Sequence, residues 1–244
     1  MRTLFVTFFV LAVLLGCTKG DQTRHTVVLL DTSASIKEEA FKNAVEIISE
    51  LSRRMQRGDC LTIIPISGNT EEEIQGRIIR VVMPVDRQAY DSDVNREREA
   101  LKRHLERLYI EARKEPPQQT DILGALPIAE QELRLTGKSR KTVILLSDML
   151  QDNAQFNFVT DPRLSSKETA IKLGAAVSNE WDLKFAGTSV ALAFLQSQQR
   201  TAMARTRIRA ITEFWREVFM RSGGKVVIYN DPERAAKVHQ FENR

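Results

Sequence analysis

The sequence predicts a three-layer α/β domain with a six-stranded, mostly parallel sheet, one antiparallel edge strand, and helices on both faces. Short aliphatic runs without polar alternation, such as "TVVLL" and "KTVILLSD", are typical of strands that are buried on both faces. Longer segments between these runs place apolar residues at helical spacing. Strands that alternate with helices along one chain indicate a sheet covered by helices on each side.

The elements are predicted in order from these runs and their breaks. Only a short loop separates the second strand from the third, so the two are expected to form a hairpin with the third strand at the edge. Cys60 opens the second strand and is predicted to be a small buried hydrophobe. The predicted strands span residues 26–30, 60–66, 77–83, 141–148, 188–195 and 225–229, and the predicted helices span 36–55, 94–113, 122–135, 166–180 and 201–221.

The first sixteen residues differ from the rest and are typical of a secretory signal peptide. One Arg precedes an uncharged apolar run, Leu4 to Leu15, which is too short and too abruptly ended for a comfortable membrane span. The run ends in "LLGC", which resembles the lipobox of bacterial lipoproteins. The resemblance implies cleavage before Cys17 and a diacylglycerol on its thiol. Residues 1–16 would then be the signal peptide, 17–24 the lipidated cysteine and its tether, and 25–244 the folded domain.

This resemblance also implies a location and limits the redox chemistry of the chain. An exported lipoprotein would lie in the bacterial cell envelope facing the periplasm, anchored to the membrane through Cys17. Thr18 follows this cysteine in place of the Asp that favours inner-membrane retention, so the outer membrane is preferred. Cys17 and Cys60 are the two cysteines of the sequence, so an acylated Cys17 leaves no disulfide within the chain.

Composition and charge favour a soluble globular domain that does not bind nucleic acid. The net charge is +4, and the 28% of charged residues are spread along the chain instead of forming a basic block. Hydrophobic residues make up 42% of the sequence, which is ordinary for a domain with one core of fair size.

Oxygen-bearing side chains gather where predicted strands end. Asp31 ends the first strand and begins "DTSAS", which supplies Ser33 and Ser35, while Asp148 ends the fourth strand and Thr120 precedes the third helix. Parallel strands share their carboxyl edge, where open α/β sheets bind ligands, so these residues are expected to meet. Carboxylates and hydroxyls without His or thiolate suit Mg²⁺, Mn²⁺ or Ca²⁺.

Each of these residues also has a plain structural interpretation. Ser35 and Glu38 match the capping box S-x-x-E, Thr120 or Asp121 could be an N-cap, and Asp148 could be a turn residue. Taken singly, capping is the favoured interpretation for Ser35 and Thr120. It explains neither Asp31 nor Ser33.

Together, D-x-S-x-S after the first strand, "QTDILGAL" and "VILLSD" resemble the von Willebrand factor A domain, an integrin I-like family, over residues 25–229. The resemblance implies a metal-ion-dependent adhesion site, in which hydroxyls contact Mg²⁺ (or Mn²⁺ or Ca²⁺) directly and carboxylates act through water. It also implies a protein partner that offers an Asp or Glu carboxylate to the metal. The family often has Gly after the last aspartate, where this chain has Met149. The residues that the resemblance assigns to the metal are Asp31, Ser33, Ser35, Thr120 and Asp148.

The sequence predicts a binding module and not an enzyme. The alternative is a Mg²⁺-dependent hydrolase or phosphatase, but that chemistry needs a second acid two residues after Asp31, where this chain has Ser33. The sequence has no Walker loop and no G-x-G-x-x-G after the first strand. His25, His104 and His239 lie outside the predicted site loops and are interpreted as surface residues. A metal-free scaffold of the same fold remains open, whereas a solute-binding lipoprotein would need two lobes and a longer chain.

Overall fold

The computed structural model describes residues 23–68, 77–86 and 90–235. The predicted signal peptide, the lipobox and Cys17 lie outside these residues, and so does His239. The first strand already begins at Arg24, the last residue assigned to the tether, whose backbone N–H donates to Asp59 Oδ1 at 2.8 Å. Within the described residues, no helix combines the length and the apolar character needed to cross a membrane.

The described strands form one six-stranded sheet in the order β3-β2-β1-β4-β5-β6. All neighbouring strands are parallel except β2 and β3, which pair antiparallel as the hairpin prediction required. The α/β prediction with one antiparallel edge strand is therefore confirmed. The strands are β1 (Arg24–Asp31), β2 (Cys60–Ile66), β3 (Ile79–Val82), β4 (Arg140–Ser147), β5 (Thr188–Phe194) and β6 (Lys225–Tyr229).

Six α-helices cover the two faces of this sheet within the described residues. Several of their ends differ from prediction by one to four residues, and two of the differences have a visible cause. The first helix starts later than expected because Ile36 forms a β-bridge with Ser197 before the helix begins. The last predicted helix is split because Met203 and Ala204 are extended, with ψ of 145° and 138°. The helices are α1 (Glu38–Arg53), α2 (Tyr90–Lys114), α3 (Ile122–Leu135), α4 (Lys167–Glu180), α5 (Gln198–Ala202) and α6 (Arg205–Arg221), with a short 3₁₀ turn at Pro162–Leu164.

The core has one layer on each face of the sheet. In β1, Val27 and Leu29 pack toward α3, α4 and α6, while Val28 and Leu30 pack toward α1 and α2. Both sets are fully buried, which explains why the strand sequence lacks polar alternation. Complete burial of a side chain of this size contributes about 1.5–3 kcal/mol. This double covering fixes the strand ends, where the polar loops begin.

The interpretation of His25 as a surface residue is wrong. It lies at the amino end of β1 and is fully buried, with Nε2 2.9 Å from Thr62 Oγ1 and Nδ1 2.8 Å from Thr136 Oγ1. Burial lowers the pKa of His25 to about 4, because the charged ring would lose its hydration. His104 is exposed on α2 as predicted, and Cys60 is buried as a free thiol, also as predicted.

Candidate metal centre

The first loop begins at Asp31, which lies in the centre of the sheet between β2 and β4 and is fully buried. Its Oδ1 accepts a hydrogen bond from the Ser33 backbone N–H at 2.9 Å, and its Oδ2 accepts from Ser147 Oγ at 2.6 Å. Thr32 is tied to β2, since its hydroxyl donates to the Ile66 carbonyl oxygen at 2.7 Å. The strand exit thus carries a carboxylate that two protein donors hold in a fixed orientation.

Ser33 and Ser35 connect this first loop to the loop after β4, which is the third loop of the site. Their hydroxyl oxygens are 3.0 Å apart, and Ser35 Oγ donates to Asp148 Oδ2 at 3.2 Å. The capping interpretation of Ser35 is wrong, because α1 begins at Glu38 behind Lys37 and has no side-chain cap. The structure therefore brings four of the five predicted metal ligands into one chain of hydrogen bonds.

Asp148 serves both as a turn residue and as a member of this chain. Its Oδ1 accepts from the Leu150 backbone N–H at 3.0 Å, which is the turn contact that the sequence suggested. Its Oδ2 faces Ser35 in the first loop. The residue is fully buried, so neither oxygen is hydrated as it would be on an open surface.

Met149 shows how the third loop keeps its path without glycine. Its φ is 69°, in the left-handed region that favours glycine, at a cost of about 1–2 kcal/mol for another residue. Two hydrogen bonds hold it there: its N–H donates to Ser147 Oγ at 2.9 Å, and its carbonyl oxygen accepts from Trp215 Nε1 at 2.9 Å. Its buried side chain joins the core. The carboxylate of Asp148 is therefore retained on a bend that side-chain contacts stabilise.

Thr120 lies in the second loop of the site, which joins α2 to α3. It lines a cleft of about 320 Å³ together with Ser33 and Ser35, and its backbone pairs with Asp152 through two hydrogen bonds of 2.8 Å. Asp121 is the N-cap of α3, because its side chain accepts from the Gly124 N–H at 3.1 Å. The capping role belongs to Asp121, and Thr120 lies on the wall of the cleft.

A polar network that the sequence analysis missed joins the second and third loops. Asp121 Oδ1 also accepts from Gln151 Nε2 and from Asn153 Nδ2, both at 2.9 Å, and Gln151 Oε1 accepts from the Leu123 N–H at 3.0 Å. Gln151 is fully buried. About thirty residues separate these partners along the chain, so no spacing pattern in the sequence connects them. The network fixes the position of Thr120 relative to Asp148.

The electrostatics of the site favour a cation. Burial, and next the charge of Asp148, raise the pKa of Asp31 to about 7, and burial also raises the pKa of Asp148. Among the described residues, no Lys, Arg or His lies within ion-pair distance of either carboxylate. Two buried like charges without an ion-pair partner are costly unless a proton or a cation joins them.

The donor set fits a hard divalent cation. The set contains no His or Cys, which zinc and copper prefer. No cluster of three or more His, Cys, Asp or Glu able to hold a metal occurs in the described ranges. The donor set comprises two carboxylates and three hydroxyls, and Mg²⁺ is commonly held by one or two carboxylates with the remaining positions filled by water or a ligand.

The fold of the chain is similar to that of a solved structure. No family model matches the sequence, and no curated protein matches it. Among solved structures, a von Willebrand factor type A protein from Catenulispora acidiphila is similar at 15% identity and a TM-score of 0.51, covering 90% of this chain and 42% of that chain. The chain therefore has a von Willebrand factor A-type fold, as the sequence resemblance predicted.

Two other solved structures are similar over most of this chain. They are proximal thread matrix protein 1 from the mussel byssus, at 16% identity, TM-score 0.44 and coverage of 91% and 47%, and the human COPII-coat protein Sec24c, at 11% identity, TM-score 0.48 and coverage of 88% and 31%. In all three comparisons, this chain spans less than half the length of the protein it resembles.

Proposed function

We propose that the chain binds a protein partner through a divalent cation, Mg²⁺ or in its place Mn²⁺ or Ca²⁺, and that it is not an enzyme. The observation that carries this proposal is the pair of fully buried carboxylates, Asp31 and Asp148, at one edge of the sheet. The hydroxyls of Ser33 and Ser35 lie beside them, Thr120 lines the same cleft as these serines, and no protein cation within the described residues forms an ion pair with the carboxylates. The von Willebrand factor A-type fold also supports an interaction domain in preference to an enzyme.

The site residues would have different roles in binding the cation, according to their positions. Asp31 and Asp148 would provide the charge that opposes a divalent cation, while Ser33, Ser35 and Thr120, each with a hydroxyl group, line the cleft. A bound cation would supply an open coordination position for an Asp or Glu carboxylate of the partner. The cleft is wide enough to admit such a side chain, and its outer lining, formed by Lys37, Gln118, Gln198 and Gln199, is polar.

Catalysis by this site has little support from its geometry. Ser33 stands where a phosphatase of the aspartate-nucleophile kind needs a general acid. His25 and Cys60 are buried at the amino end of the sheet, opposite the candidate site. We expect the protein to release no product from p-nitrophenyl phosphate in the presence of Mg²⁺. Turnover that the Asp31→Asn variant loses would support the hydrolase instead.

The first experiment is a Mn²⁺ titration of the full-length chain in detergent, followed by the electron paramagnetic resonance signal of the free ion. Wild type should bind one ion saturably, and Asp31→Asn should lose this binding. The matched control is Asp59→Asn, which alters another buried aspartate at the amino end of the sheet. Capture of partners from envelope extracts with and without EDTA then tests the protein-binding step.

A metal-free scaffold is a second candidate, because the hydrogen-bond chain from Ser147 through Asp31, Ser33 and Ser35 to Asp148 closes within the protein. A single proton on Asp31 would relieve the repulsion between the carboxylates. If neither wild type nor Asp31→Asn bound Mn²⁺, and partners were captured equally with and without EDTA, the metal-free scaffold would be the correct function.

The proposal includes export and lipid anchoring through Cys17, which rest on the apolar leader and the "LLGC" stretch. In a bacterial host, the chain should incorporate radiolabelled palmitate, and Cys17→Ser should abolish this incorporation. Cys60→Ser is the matched control because Cys60 is buried and has no role in the anchor. Equal labelling of the Cys17→Ser variant would contradict the anchor.

A further inference from the structure

A fourth loop, between β5 and α5, meets the candidate metal centre. Lys37 N–H donates to the Gln196 carbonyl oxygen at 3.3 Å, and Ile36 and Ser197 form an antiparallel bridge, so this loop is tied to the first loop. The buried Ser197 hydroxyl also interacts with the Asp148 carboxylate. The loop therefore connects the two loops that supply the aspartates.

Arg200 places a positive charge beside the third loop. Its Nη1 donates to the carbonyl oxygen of Asp148 at 3.0 Å, and its guanidinium lies 4.1 Å from the centre of the Phe194 ring. The Ser197 side chain accepts from the Arg200 N–H at 3.1 Å, which fixes the start of α5. Burial lowers the pKa of Arg200, while the charge of Asp148 opposes that shift, and an arginine remains charged in either case.

The charges buried at the site then do not cancel when a divalent cation binds. Asp31 and Asp148 carry two negative charges, and Arg200 carries one positive charge. Counting these three groups, a bound divalent cation gives one net positive charge, whereas without Arg200 the sum would be zero. Of the other charged groups nearby, Lys37 and Asp152 line the cleft and are opposite in sign. Asp121 is buried and accepts hydrogen bonds from the Gly124 N–H, Gln151 and Asn153.

We propose that Arg200 is a positioning residue that couples the cation to an acidic partner: its charge weakens the site for the cation alone and strengthens the loaded site for a carboxylate. This inference rests on the proposed function. It deepens that function by making occupancy of the metal site depend on the partner. It also identifies the partner group by its charge, as an anion that neutralises the loaded site.

The test compares Arg200→Gln, which removes the charge, with Arg200→Lys, which keeps it. The full-length chain in detergent is titrated with Mn²⁺ in chloride and in acetate at equal ionic strength, with acetate as the carboxylate probe. In chloride, Arg200→Gln should bind Mn²⁺ roughly 5- to 30-fold more tightly than wild type, from the loss of one nearby like charge. Arg200→Lys should stay close to wild type. Acetate should tighten Mn²⁺ binding in wild type and Arg200→Lys, and much less in Arg200→Gln.

Two controls separate this inference from simpler effects. Arg205→Gln removes an exposed arginine at the start of α6 and should leave the affinity for Mn²⁺ nearly unchanged. Thermal unfolding shows that each variant is folded. Weaker Mn²⁺ binding by both Arg200 variants, or no change in Arg200→Gln, would overturn the charge coupling while leaving the metal site intact. If wild type bound no Mn²⁺ in either salt, as Asp31→Asn is expected to behave, the proposed function would fail and the coupling with it.

Discussion

The carboxyl end of the sheet buries Asp31 and Asp148, whereas the amino end buries His25 and Glu132, all four with at most 5% of their surface exposed. At the amino end, His25 has a hydroxyl partner on each ring nitrogen, and Glu132 accepts two hydrogen bonds from Arg80, at 2.7 and 2.8 Å. At the carboxyl end, the two carboxylates accept hydrogen bonds from hydroxyls and backbone N–H groups and form no ion pair among the described residues.

The difference indicates which polar cluster is structural and which is prepared for a ligand. Buried polar groups persist when they are paired, and the amino end meets that condition with groups of the protein itself. The carboxyl end has hydrogen bonds but no ion pair among the described residues, and Arg200 supplies one positive charge for two carboxylates, so its free energy depends on an added proton or cation. Of these two clusters, the one at the carboxyl end carries the unfavourable electrostatic free energy.

Replacement of Asp31 should have the largest effect on stability and metal binding, and at high pH it should stabilise the protein. The pKa of Asp31 is raised to about 7 in the folded state, so its stabilising protonated form is present at low pH and lost as the pH rises through 7. At pH 8 in EDTA, the free energy of unfolding of Asp31→Asn should therefore be about 1–3 kcal/mol higher than that of wild type. The variant should also bind Mn²⁺ at least roughly 100-fold more weakly. Urea unfolding and the Mn²⁺ titration measure the two effects.

The matched variant at the other end should behave in the opposite way. Asp59 accepts hydrogen bonds from the Arg24 and Gln56 N–H groups, and Asn can accept only one of them without a clash of donors. Asp59→Asn should lower the free energy of unfolding by about 1 kcal/mol and leave Mn²⁺ binding unchanged. If both Asn variants destabilised the protein equally at pH 8, the contrast between the two ends would be wrong.

Addition of Mg²⁺ should stabilise the protein, and more so at high pH. A ligand at one hundred times its dissociation constant adds about 2.7 kcal/mol to the free energy of unfolding. At pH 5.5, protons compete with the cation for Asp31, so the gain in melting temperature should be smaller than at pH 8. Differential scanning fluorimetry with Mg²⁺ and with EDTA measures this. Equal gains at the two pH values, or any gain in Asp31→Asn, would argue against binding at Asp31.

The sheet and the position of the site could be predicted because both depend on short stretches of sequence. Aliphatic runs such as Val27–Leu30 indicate strands buried on both faces, and the shared carboxyl edge of parallel strands places Asp31 near Asp148. The roles of single residues were harder to predict. Ser35 matches a capping box by spacing, but the bridge between Ile36 and Ser197 delays the helix and leaves Ser35 to meet Asp148.

Contacts between distant segments could not be predicted from the sequence. Gln151 and Arg200 lie in different segments of the chain from the groups they hold, and nothing in their local sequence marks them as part of the site. His25 was misplaced for a related reason. A single histidine carries no periodic signal, and its burial depends on Thr62 and Thr136, which lie 37 and 111 residues further along the chain.

At the amino end, acid should destabilise the protein through His25. Its pKa is lowered to about 4 in the folded state, so the neutral form is favoured, and the stability is present above pH 6.5 and lost as the pH falls toward 4. The loss should be on the order of 2 kcal/mol. Urea unfolding from pH 7 to pH 4.5 measures it in the Asp31→Asn background, where the opposite trend of Asp31 is removed. His25→Gln should flatten the profile, and an unchanged slope would show that another group is responsible.

The smallest expected effect concerns the ion pair between Arg80 and Glu132. Arg80 has a half-exposed side chain on the edge strand β3, so solvent screens its charge, whereas Glu132 is 7% exposed at its side chain. Arg80→Met should cost about 1 kcal/mol, because the Glu132 carboxylate loses two charge-assisted hydrogen bonds and keeps its burial. The double variant Arg80→Met with Glu132→Gln should recover part of that loss, since it removes the unpaired charge. Urea unfolding of the four proteins gives the coupling free energy. A value near zero would mean that the amino end is held by packing alone, so that the pairing of its charges no longer distinguishes it from the carboxyl end.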